Sequence, residues 1–353
     1  MILSQFIIKI CYATIINDKV LYAGILIPYR RTKHSEARSV LEKQQIAKEL
    51  RQLFPLTIVK KNEPLNKYTY TKTGGAGDIV VFPNTKEDVQ GIVKWVHEHK
   101  VPLTILGNSS NVIIKDGGIR GVVMILTDLN EVEIKKNKLI VQSGASIIET
   151  AQKALSANLT GLEFACGIPG SVGGAVFMNA GAYGGEVKTV IKSVEVVTLE
   201  GKRHVYSNEE MAFGYRTSVI QERGDIVLET IFELEKGKFE HIKEKMDELT
   251  ELRESKQPLE YPSCGSVFKR PTGYFTGKLI QDAGLQGKIW GGAQISTKHA
   301  GFIVNINNAT ATDYLELIAY IQKTIKEVYD VTLETEVRVI GENLVENIAA
   351  VPS

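Results

Sequence analysis

The chain has 353 residues, of which 42 are Lys or Arg, 41 are Asp or Glu, and 43% are hydrophobic. This composition is that of an ordinary folded protein, so it argues against wholesale disorder, and the balanced charge argues against a protein that coats nucleic acids. The length predicts two or three domains.

The three cysteines, Cys11, Cys166 and Cys264, are odd in number and widely spaced. They support neither a disulfide framework nor a cysteine-rich zinc site, and they favour a reducing compartment, which we take to be the cytoplasm. The longest apolar run near the start, residues 20–29, is too short to cross a membrane. We therefore predict a cytoplasmic protein without a membrane segment.

Residues 1–44 show no clear hydrophobic period, and we interpret them as a peripheral N-terminal extension that need not be ordered. A helix is predicted over 44–53. Apolar strands and amphipathic helices then alternate, which predicts an α+β domain over 45–235 with subdomains of about 45–117 and 118–235. Its predicted strands are 79–82, 103–106, 112–114, 122–126, 139–142, 194–197 and 226–234, and its two helices follow the N-caps Thr85 and Ser146.

Near Gly237 the sequence becomes highly charged, and a second α+β domain is predicted over 236–332. Its predicted elements are a helix at 239–256, a loop at 258–277, a helix at 279–283, a strand at 301–305, a helix N-capped by Thr312, and a closing strand at 331–340. Glu334 and Glu336 would share one face of that closing strand.

Eight glycines fall between Gly161 and Gly185, among apolar residues that a flexible linker would lack. The backbone N–H groups that glycine leaves accessible can form a nest for a phosphate, and Ser171 adds a hydroxyl. A tight structural turn is the alternative, which the density of glycines disfavours.

A second polar loop, residues 107–111, lies between two apolar strands and offers neutral amide and hydroxyl donors. It suits a diphosphate held by uncharged groups, although a simple hairpin turn would use the same residues. The chain has neither a P-loop nor a Rossmann fingerprint, so any dinucleotide is bound by another architecture.

The spacing of individual residues gives little further evidence for a metal site or a catalytic site. His97 and His99 point to different faces of a helix, so a zinc pair is not predicted, and no metal is expected. We interpret Cys264 as a small packing residue rather than a nucleophile. Three further polar residues lie in distinctive local sequences: Arg216, Ser266 and Glu336. A single residue of any of these types is normally a surface or structural residue.

Taken together, these segments resemble the UDP-N-acetylenolpyruvoylglucosamine reductase family over roughly residues 45–341. The motifs that carry the resemblance are Tyr70-Thr-Lys-Thr-Gly-Gly75, Leu106-Gly-Asn-Ser-Ser-Asn111, Asp116-Gly-Gly-Ile-Arg-Gly121, Gly167-Ile-Pro-Gly-Ser-Val-Gly-Gly174, Met178-Asn-Ala-Gly-Ala-Tyr-Gly184, Gly214-Tyr-Arg216, Gly265-Ser-Val-Phe268 and Leu333-Glu-Thr-Glu-Val337. The stretch between Arg216 and Ser266 is too short for a Tyr-bearing insertion, so the chain is similar to the short form of the family.

The resemblance implies an FAD-binding fold of the PCMH/vanillyl-alcohol-oxidase type, a smaller α+β substrate domain, and a segment 333–353 that returns to the FAD domain. It implies non-covalent FAD, NADPH as co-substrate, and reduction of UDP-N-acetylglucosamine enolpyruvate for peptidoglycan synthesis. Ser266 would be the proton donor, and Arg216 and Glu336 would stabilise the enolate, Glu336 in protonated form or through a shared proton or water. The implied FAD contacts are Tyr68, Gly107, Asn108, Ser109, Ser110, Asn111, Gly144, Gly167, Ile168, Pro169, Gly170, Ser171, Val172, Gly174, Asn179, Gly181, Ala182 and Val227. The candidate substrate contacts are Tyr215, Arg253, Lys256, Gly265, Lys278 and His299.

Two other functions stay open on the sequence. One is another FAD oxidoreductase of the same fold that acts on a small alcohol or sugar, and the other is a non-catalytic nucleotide-sugar binding protein. Retention of Ser266, Arg216 and Glu336 favours the reductase. Oligomeric state has no signal in the sequence, and a monomer is favoured.

Overall fold

The computed structural model describes residues 15–16, 19–22, 25–28 and 33–344, with side chains from Glu42 onward. The chain divides into two compact units, residues 1–46 and 47–353, and the boundary falls inside a helix. None of the helices in these described ranges is both long and apolar enough to cross a membrane.

The first unit contains a small antiparallel sheet and the start of a helix. Its elements are β1 (Ile15–Ile16), β2 (Lys19–Tyr22), β3 (Ile25–Pro28) and the first part of α1 (Lys33–Leu53). The helix predicted from Gln44 begins earlier, at Lys33. The prediction missed its first turns because they show no apolar period, although most of their residues are compatible with a helix. The rest of the predicted extension lies outside the described residues.

The second unit begins with a four-stranded sheet in the order β4-β5-β8-β6. Its elements are β4 (Ile58–Pro64), β5 (Ala76–Phe82), α2 (Lys86–Glu98), β6 (Leu103–Leu106), β7 (Val112–Ile114) and β8 (Ile119–Ile125). The β5–β8 and β6–β8 pairs are parallel, and β7 pairs elsewhere. A subdomain boundary near residue 117 would separate β8 from its own sheet, so the change between sheets comes after Ile125.

A five-stranded antiparallel sheet follows in the order β15-β14-β16-β10-β9. The elements of this part are β9 (Val132–Lys135), β10 (Lys138–Gln142), α3 (Ile147–Ser156), β11 (Leu159–Thr160), α4 (Val172–Phe177), β12 (Gly181–Ala182), β13 (Gly185–Glu186), β14 (Ile191–Val197), β15 (Arg203–Ser207), α5 (Val219–Arg223), β16 (Ile226–Glu233), β17 (Glu235–Lys236) and α6 (Phe239–Lys256).

Helix α6 has the predicted bounds but packs with a different core than predicted. Its buried residues Ile242, Met246 and Leu249 belong to the same hydrophobic cluster as α3 and α4. A second domain starting at residue 236 therefore begins too early. The many charged residues after Gly237 belong to the solvent-facing side of α6 and do not mark a domain boundary.

The C-terminal part is a four-stranded antiparallel sheet, β18-β21-β20-β19, covered by a long helix. Its elements are β18 (Ser263–Ser266), α7 (Thr276–Asp282), β19 (Ile289–Trp290), β20 (Ala293–Ile295), β21 (Phe302–Asn305), α8 (Ala311–Tyr329) and β22 (Arg338–Ile340). Strand β18 lies within the stretch 258–277 that was predicted as a loop. The Pro and Gly residues of this stretch indicated a loop, so the strand was not predicted.

Helix α8 is N-capped by Thr310, not by the predicted Thr312. Asp313 completes a capping box with Thr310, which the sequence pattern at Thr312 cannot form. Thr312 instead donates its hydroxyl to Asp116, whose carboxylate also accepts from the Ala311 and Thr312 amides at 2.9 and 2.8 Å. Such caps are worth about 1 kcal/mol each. The loop after β7 thus fixes the C-terminal part in place.

The predicted closing strand 331–340 is formed only over β22, which pairs in parallel with β7. Leu333 and Val337 are buried in the core of the C-terminal sheet, so residues before β22 pack as an extended segment. The strand on which Glu334 and Glu336 were predicted to share a face therefore does not extend to these two positions. Glu334 is exposed and pairs with Lys269, whereas only 15% of the Glu336 side chain is exposed.

Candidate active site

The two glycine- and serine-containing loops singled out in the sequence touch each other. A Cβ atom added at Gly107 would lie 2.2 Å from Ser171 Oγ. Ser110 Oγ donates to the Pro169 carbonyl at 2.6 Å. The loop after β6 and the loop before α4 therefore form one continuous surface.

The glycine-rich loop ends in a short helix that the sequence reading did not predict. Ser171 is the N-cap of α4 and accepts a hydrogen bond from the Gly174 amide at 3.3 Å. The Ile147 amide donates to the Gly170 carbonyl, and Gly170 has a φ of 153°, a conformation that favours glycine. These bonds hold the loop backbone rigidly beside residues 107–111.

Two buried hydroxyls in this region have no hydrogen-bond partner among the described residues, Ser109 Oγ and Ser143 Oγ. Ser109 also adopts a left-handed backbone with a φ of 50°. Buried polar groups are rarely left unpaired, and strained backbone often marks ligand sites. The two loops therefore fit a large polar ligand such as the predicted FAD.

Gly107 allows a direct test of this loop contact. In Gly107→Ala the new Cβ meets Ser171 Oγ, so we expect the loops to separate and the protein to bind FAD at least about tenfold more weakly. FAD affinity is measured by fluorescence titration of the apoprotein. Adding Ser171→Ala removes the clashing oxygen and leaves a 3.4 Å contact with Cβ, so the double variant should regain part of the affinity. No recovery would contradict the contact.

Two predicted cofactor residues have their polar groups engaged inside the protein. Asn179 is fully buried, and its side chain bonds Glu186, the Gly214 carbonyl and the Lys188 amide. The Tyr68 hydroxyl donates to Glu63 and accepts from Lys60. Any cofactor contact by these residues must use other atoms.

Two other predicted FAD contacts, Gly144 and Val227, occupy positions where packing within the protein already explains the residue type. A Cβ at Gly144 would lie 1.7 Å from the Leu126 carbonyl oxygen, and Val227 is buried in β16. The role of the whole set toward FAD stays a prediction. Its remaining members lie on the two touching loops, on the first turn of α4 or on β12: Asn108, Asn111, Gly167, Ile168, Val172, Gly174, Gly181 and Ala182.

The three predicted catalytic residues come from distant parts of the chain, and the structure brings Arg216 into contact with Glu336 and places Ser266 next in sequence to Val267, which bonds Glu336. Arg216 Nε donates to Glu336 Oε1 at 2.8 Å. The Glu336 amide donates to the Val267 carbonyl at 2.8 Å, which places Glu336 beside the neighbour of Ser266. Ser266 is exposed at the end of β18, and its hydroxyl has no partner among the described residues. It is therefore available to a substrate.

The same site is tied to the loop at residues 107–111. Asn111 Nδ2 donates to the Glu336 carbonyl at 3.2 Å, and the Arg338 amide donates to the Asn111 carbonyl at 3.1 Å. Glu336 thus lies between the strand of Ser266 and the candidate cofactor loop.

Arg216 is held in an unusual conformation. Its φ is 58°, a left-handed value that costs a non-glycine residue about 1 kcal/mol or more. Only 22% of its side chain is exposed, and its Nη2 reaches the Gly181 carbonyl weakly at 3.4 Å. The neighbouring Tyr215 is 56% exposed, with its ring centroid 5.3 Å from the guanidinium carbon. Part of the guanidinium therefore remains open to an anion.

Among the predicted substrate contacts, Arg253 is the best placed for an anionic group. A Cβ at Gly167 would lie 2.7 Å from Arg253 Cδ, so the side chain packs on the glycine-rich loop. Burial lowers the pKa of its guanidinium, which has no hydrogen-bonded or ion-paired partner in the described part of the chain. An unpaired, half-buried cation favours an anionic ligand.

The other candidates have weaker claims. Lys278 pairs with Asp282 on its own helix. His299 accepts from the Gly301 amide at 3.1 Å, and burial lowers its pKa, which keeps the ring neutral near pH 7. Lys256 is exposed, and Gly265 faces open space with a φ of 75°.

Cys264 is buried, and burial raises the pKa of its thiol to about 12, in agreement with a packing role. The His99 ring stacks on Trp95. Within the described residues, no group of three or more His, Cys, Asp or Glu side chains could hold a metal ion.

The sequence reading missed Gln221 and Ser218. Gln221 Nε2 donates to the Arg216 and Phe177 carbonyls, and Ser218 Oγ donates to the latter. Neither residue type is distinctive, and only the fold brings them to these carbonyls.

Two family models match the chain. One, described as an FAD binding domain, matches residues 77–207, and the other, described as UDP-N-acetylenolpyruvoylglucosamine reductase, C-terminal domain, matches residues 257–340. The predicted α+β fold with an FAD-binding domain and a smaller C-terminal part is thereby confirmed.

Similar whole proteins carry the same name. The UDP-N-acetylenolpyruvoylglucosamine reductase of Enterococcus faecalis is 61% identical over 283 residues, which are 80% of this chain and 94% of the relative. That of Listeria monocytogenes is 59% identical over 290 residues, 82% of this chain and 97% of the relative. The solved structure of the reductase from Thermus caldophilus matches with a TM-score of 0.71 and 34% identity, covering 80% of this chain and 99% of that one.

Proposed function

This chain belongs to the UDP-N-acetylenolpyruvoylglucosamine reductase family, and from that membership we propose how its own side chains carry out the reaction. The protein is an FAD-dependent oxidoreductase that reduces UDP-N-acetylglucosamine enolpyruvate to UDP-N-acetylmuramate in peptidoglycan precursor synthesis, with NADPH as reductant. The observation that carries the proposal is the ion pair of Arg216 with Glu336. The backbone of Glu336 bonds both Val267, the neighbour of Ser266, and Asn111 of the loop at residues 107–111.

FAD is bound without a covalent link by the touching loops 107–111 and 167–174, neither of which contains a His or Cys. The unpaired Ser109 and Ser143 hydroxyls are the donors that a bound ligand would satisfy. Bound there, FAD would supply the hydride-transfer chemistry that connects NADPH to the terminal enol carbon of the substrate. The protein's task is to hold the substrate and manage the charge and the proton.

Ser266 supplies the proton. Hydride addition to the terminal carbon leaves an electron pair on the adjacent carbon, which spreads into the substrate carboxylate. The Ser266 O–H bond breaks as the new C–H bond forms on that adjacent carbon, and the exposed serine regains a proton from solvent. A serine hydroxyl is a weak acid in water, but transfer to a strongly basic carbon is favourable.

Arg216 stabilises the negative charge that develops before this proton arrives. Its Nε is engaged by Glu336, which leaves the other edge of the guanidinium for the substrate carboxylate. A carboxylate such as Glu336 would itself repel the enolate. The observed pairing therefore favours the alternative in which Glu336 acts through a shared proton, here the one on Arg216 Nε.

The test of this arrangement is to time the two half-reactions separately, without oxygen. In Glu336→Gln an oxygen acceptor for Arg216 Nε remains but the charge is lost. We expect reoxidation of the flavin by substrate to slow by about 10–100-fold, because the guanidinium is held less firmly. Flavin reduction by NADPH should be unchanged. Equal slowing of both steps, or of neither, would contradict the proposal.

We assign the substrate diphosphate to Arg253, because its guanidinium finds no partner in the described part of the chain and its side chain packs against Gly167. Arg253→Met serves as the comparison in the same experiment. It should raise KM for the nucleotide sugar by about tenfold or more and leave kcat nearly unchanged, the reverse of Glu336→Gln. An unchanged KM would remove Arg253 from the substrate site.

We also propose that the protein works in the cytoplasm as a monomer. Cys166 and Cys264 are free thiols, which agrees with a reducing compartment. One chain supplies Ser266, Arg216 and Glu336, so the site does not require a second copy. A molecular mass in solution above that of one chain would contradict the monomer.

A further inference from the structure

The Gln221 side chain connects the backbone of Arg216 to the helix that follows the glycine-rich loop. Its Nε2 donates to the Arg216 carbonyl at 2.9 Å and to the Phe177 carbonyl at 2.7 Å. A primary amide has two N–H donors, so both bonds can be made at once. Phe177 is the last residue of α4, and Gln221 lies on α5.

The turn that carries Arg216 is closed by further bonds. Gly214 and Thr217 exchange two backbone hydrogen bonds of 3.1 and 3.3 Å. Asn179, just beyond α4, donates to the Gly214 carbonyl at 2.9 Å. Ser218 Oγ donates to the Phe177 carbonyl at 2.9 Å. The turn is therefore attached on both sides to the C-terminal end of α4.

These bonds are needed because Arg216 has a φ of 58°. A non-glycine residue stays in the left-handed region only where its surroundings compensate for the strain. Gln221 donates to the carbonyl of the strained residue itself. Because the ψ angle sets the direction of that carbonyl, this bond restrains the ψ angle of Arg216 most directly. If this bond is lost, the backbone can relax and the guanidinium shifts relative to Glu336.

We propose that Gln221 is a positioning residue for the reduction of the enolpyruvyl group. It sets the guanidinium of Arg216 by fixing the backbone of Arg216 to α4, without touching substrate itself. This inference rests on the role given to Arg216 in the proposed function. It adds that the glycine-rich loop, its helix α4 and Arg216 form one rigid assembly, so that the cofactor loop and the guanidinium keep a fixed distance.

The test is Gln221→Met, which keeps the length of the side chain and removes both donors. Reoxidation of the flavin by UDP-N-acetylglucosamine enolpyruvate, followed anaerobically by stopped-flow absorbance, should slow by about 10–100-fold. FAD content and the rate of flavin reduction by NADPH should stay at wild-type values. Gln286→Met is the matched control, because Gln286 Nε2 also donates to a backbone carbonyl, that of Thr297, on the surface of the C-terminal part. It should leave both rates unchanged.

A double-variant cycle separates positioning from a general loss of structure. In an Arg216→Met background the guanidinium is absent, so adding Gln221→Met should cause less than a threefold further loss. If Gln221→Met slows both backgrounds equally, or lowers FAD content or the NADPH step as much as the substrate step, Gln221 does not act through Arg216. If Arg216→Met itself leaves the substrate step intact, the proposed function fails first, which distinguishes the two failures.

Discussion

Replacing Ser266 by alanine should leave flavin reduction by NADPH intact and slow the substrate half-reaction by about 10²–10⁴-fold, the usual contribution of a proton donor. The hydroxyl of Ser266 is exposed and has no partner among the described residues, so its removal disturbs no internal hydrogen bond. The effect should therefore fall on kcat for substrate reduction, with little change in FAD content or thermal stability. Anaerobic stopped-flow absorbance of each half-reaction measures this directly.

Ser263→Ala is the matched control, because Ser263 begins the same strand β18 and pairs with Val304 through its backbone. It should change neither half-reaction by more than about twofold. A Ser266→Ala variant that reduces substrate at the wild-type rate would remove the serine from the chemistry. Equal loss in both variants would indicate damage to β18 rather than a missing proton.

The second large effect is expected at Arg216. Arg216→Met removes the positive charge that we propose faces the developing enolate, and one such contact is worth about 10²–10³-fold in rate. Arg216→Lys should recover only part of the rate, because an ammonium cannot bond Glu336 and the substrate carboxylate with the same planar geometry. The loss should again be confined to the substrate half-reaction.

Arg223→Met is the control for the loss of an arginine nearby in sequence. Arg223 lies at the end of α5 and donates to the Tyr206 hydroxyl at 3.0 Å. It should reduce stability modestly and leave both half-reactions near wild-type rates once FAD is saturating. If Arg216→Lys were fully active, the proposed double role of Arg216, which bonds both Glu336 and the substrate carboxylate, would be wrong.

The parts of the fold that could be predicted from sequence are those with local signals. The glycines between Gly161 and Gly185 favoured an ordered ligand-binding loop over a flexible linker, and Ser171 of that loop does lie close to Gly107. Helix α6 has the predicted bounds because Ile242, Met246 and Leu249 repeat with a helical period. Periodicity could not show which core that helix joins, since the choice depends on residues far along the chain.

The features that escaped prediction are long-range contacts. The closing segment contains apolar residues that suit a strand, but Leu333 and Val337 enter a core that only the folded C-terminal sheet provides. The pairing of Glu336 with Arg216, 120 positions away, leaves no trace in spacing. In the sequence, Gln221 has no feature that sets it apart from other helix residues. Its bonds to two backbone carbonyls depend on the fold. The family resemblance supplied the predicted roles of Ser266, Arg216 and Glu336, whereas the contact between Arg216 and Glu336 required the structure.

We expect one protein to carry both a flavin that NADPH reduces and a site that passes the electrons to an enolpyruvyl nucleotide sugar. An anaerobic absorbance titration of the purified protein tests it most directly. NADPH should bleach the visible flavin band, and UDP-N-acetylglucosamine enolpyruvate should then restore it in stoichiometric amount. Bleaching that the nucleotide sugar does not reverse, or a protein that shows no flavin band after FAD is added back, would contradict the account.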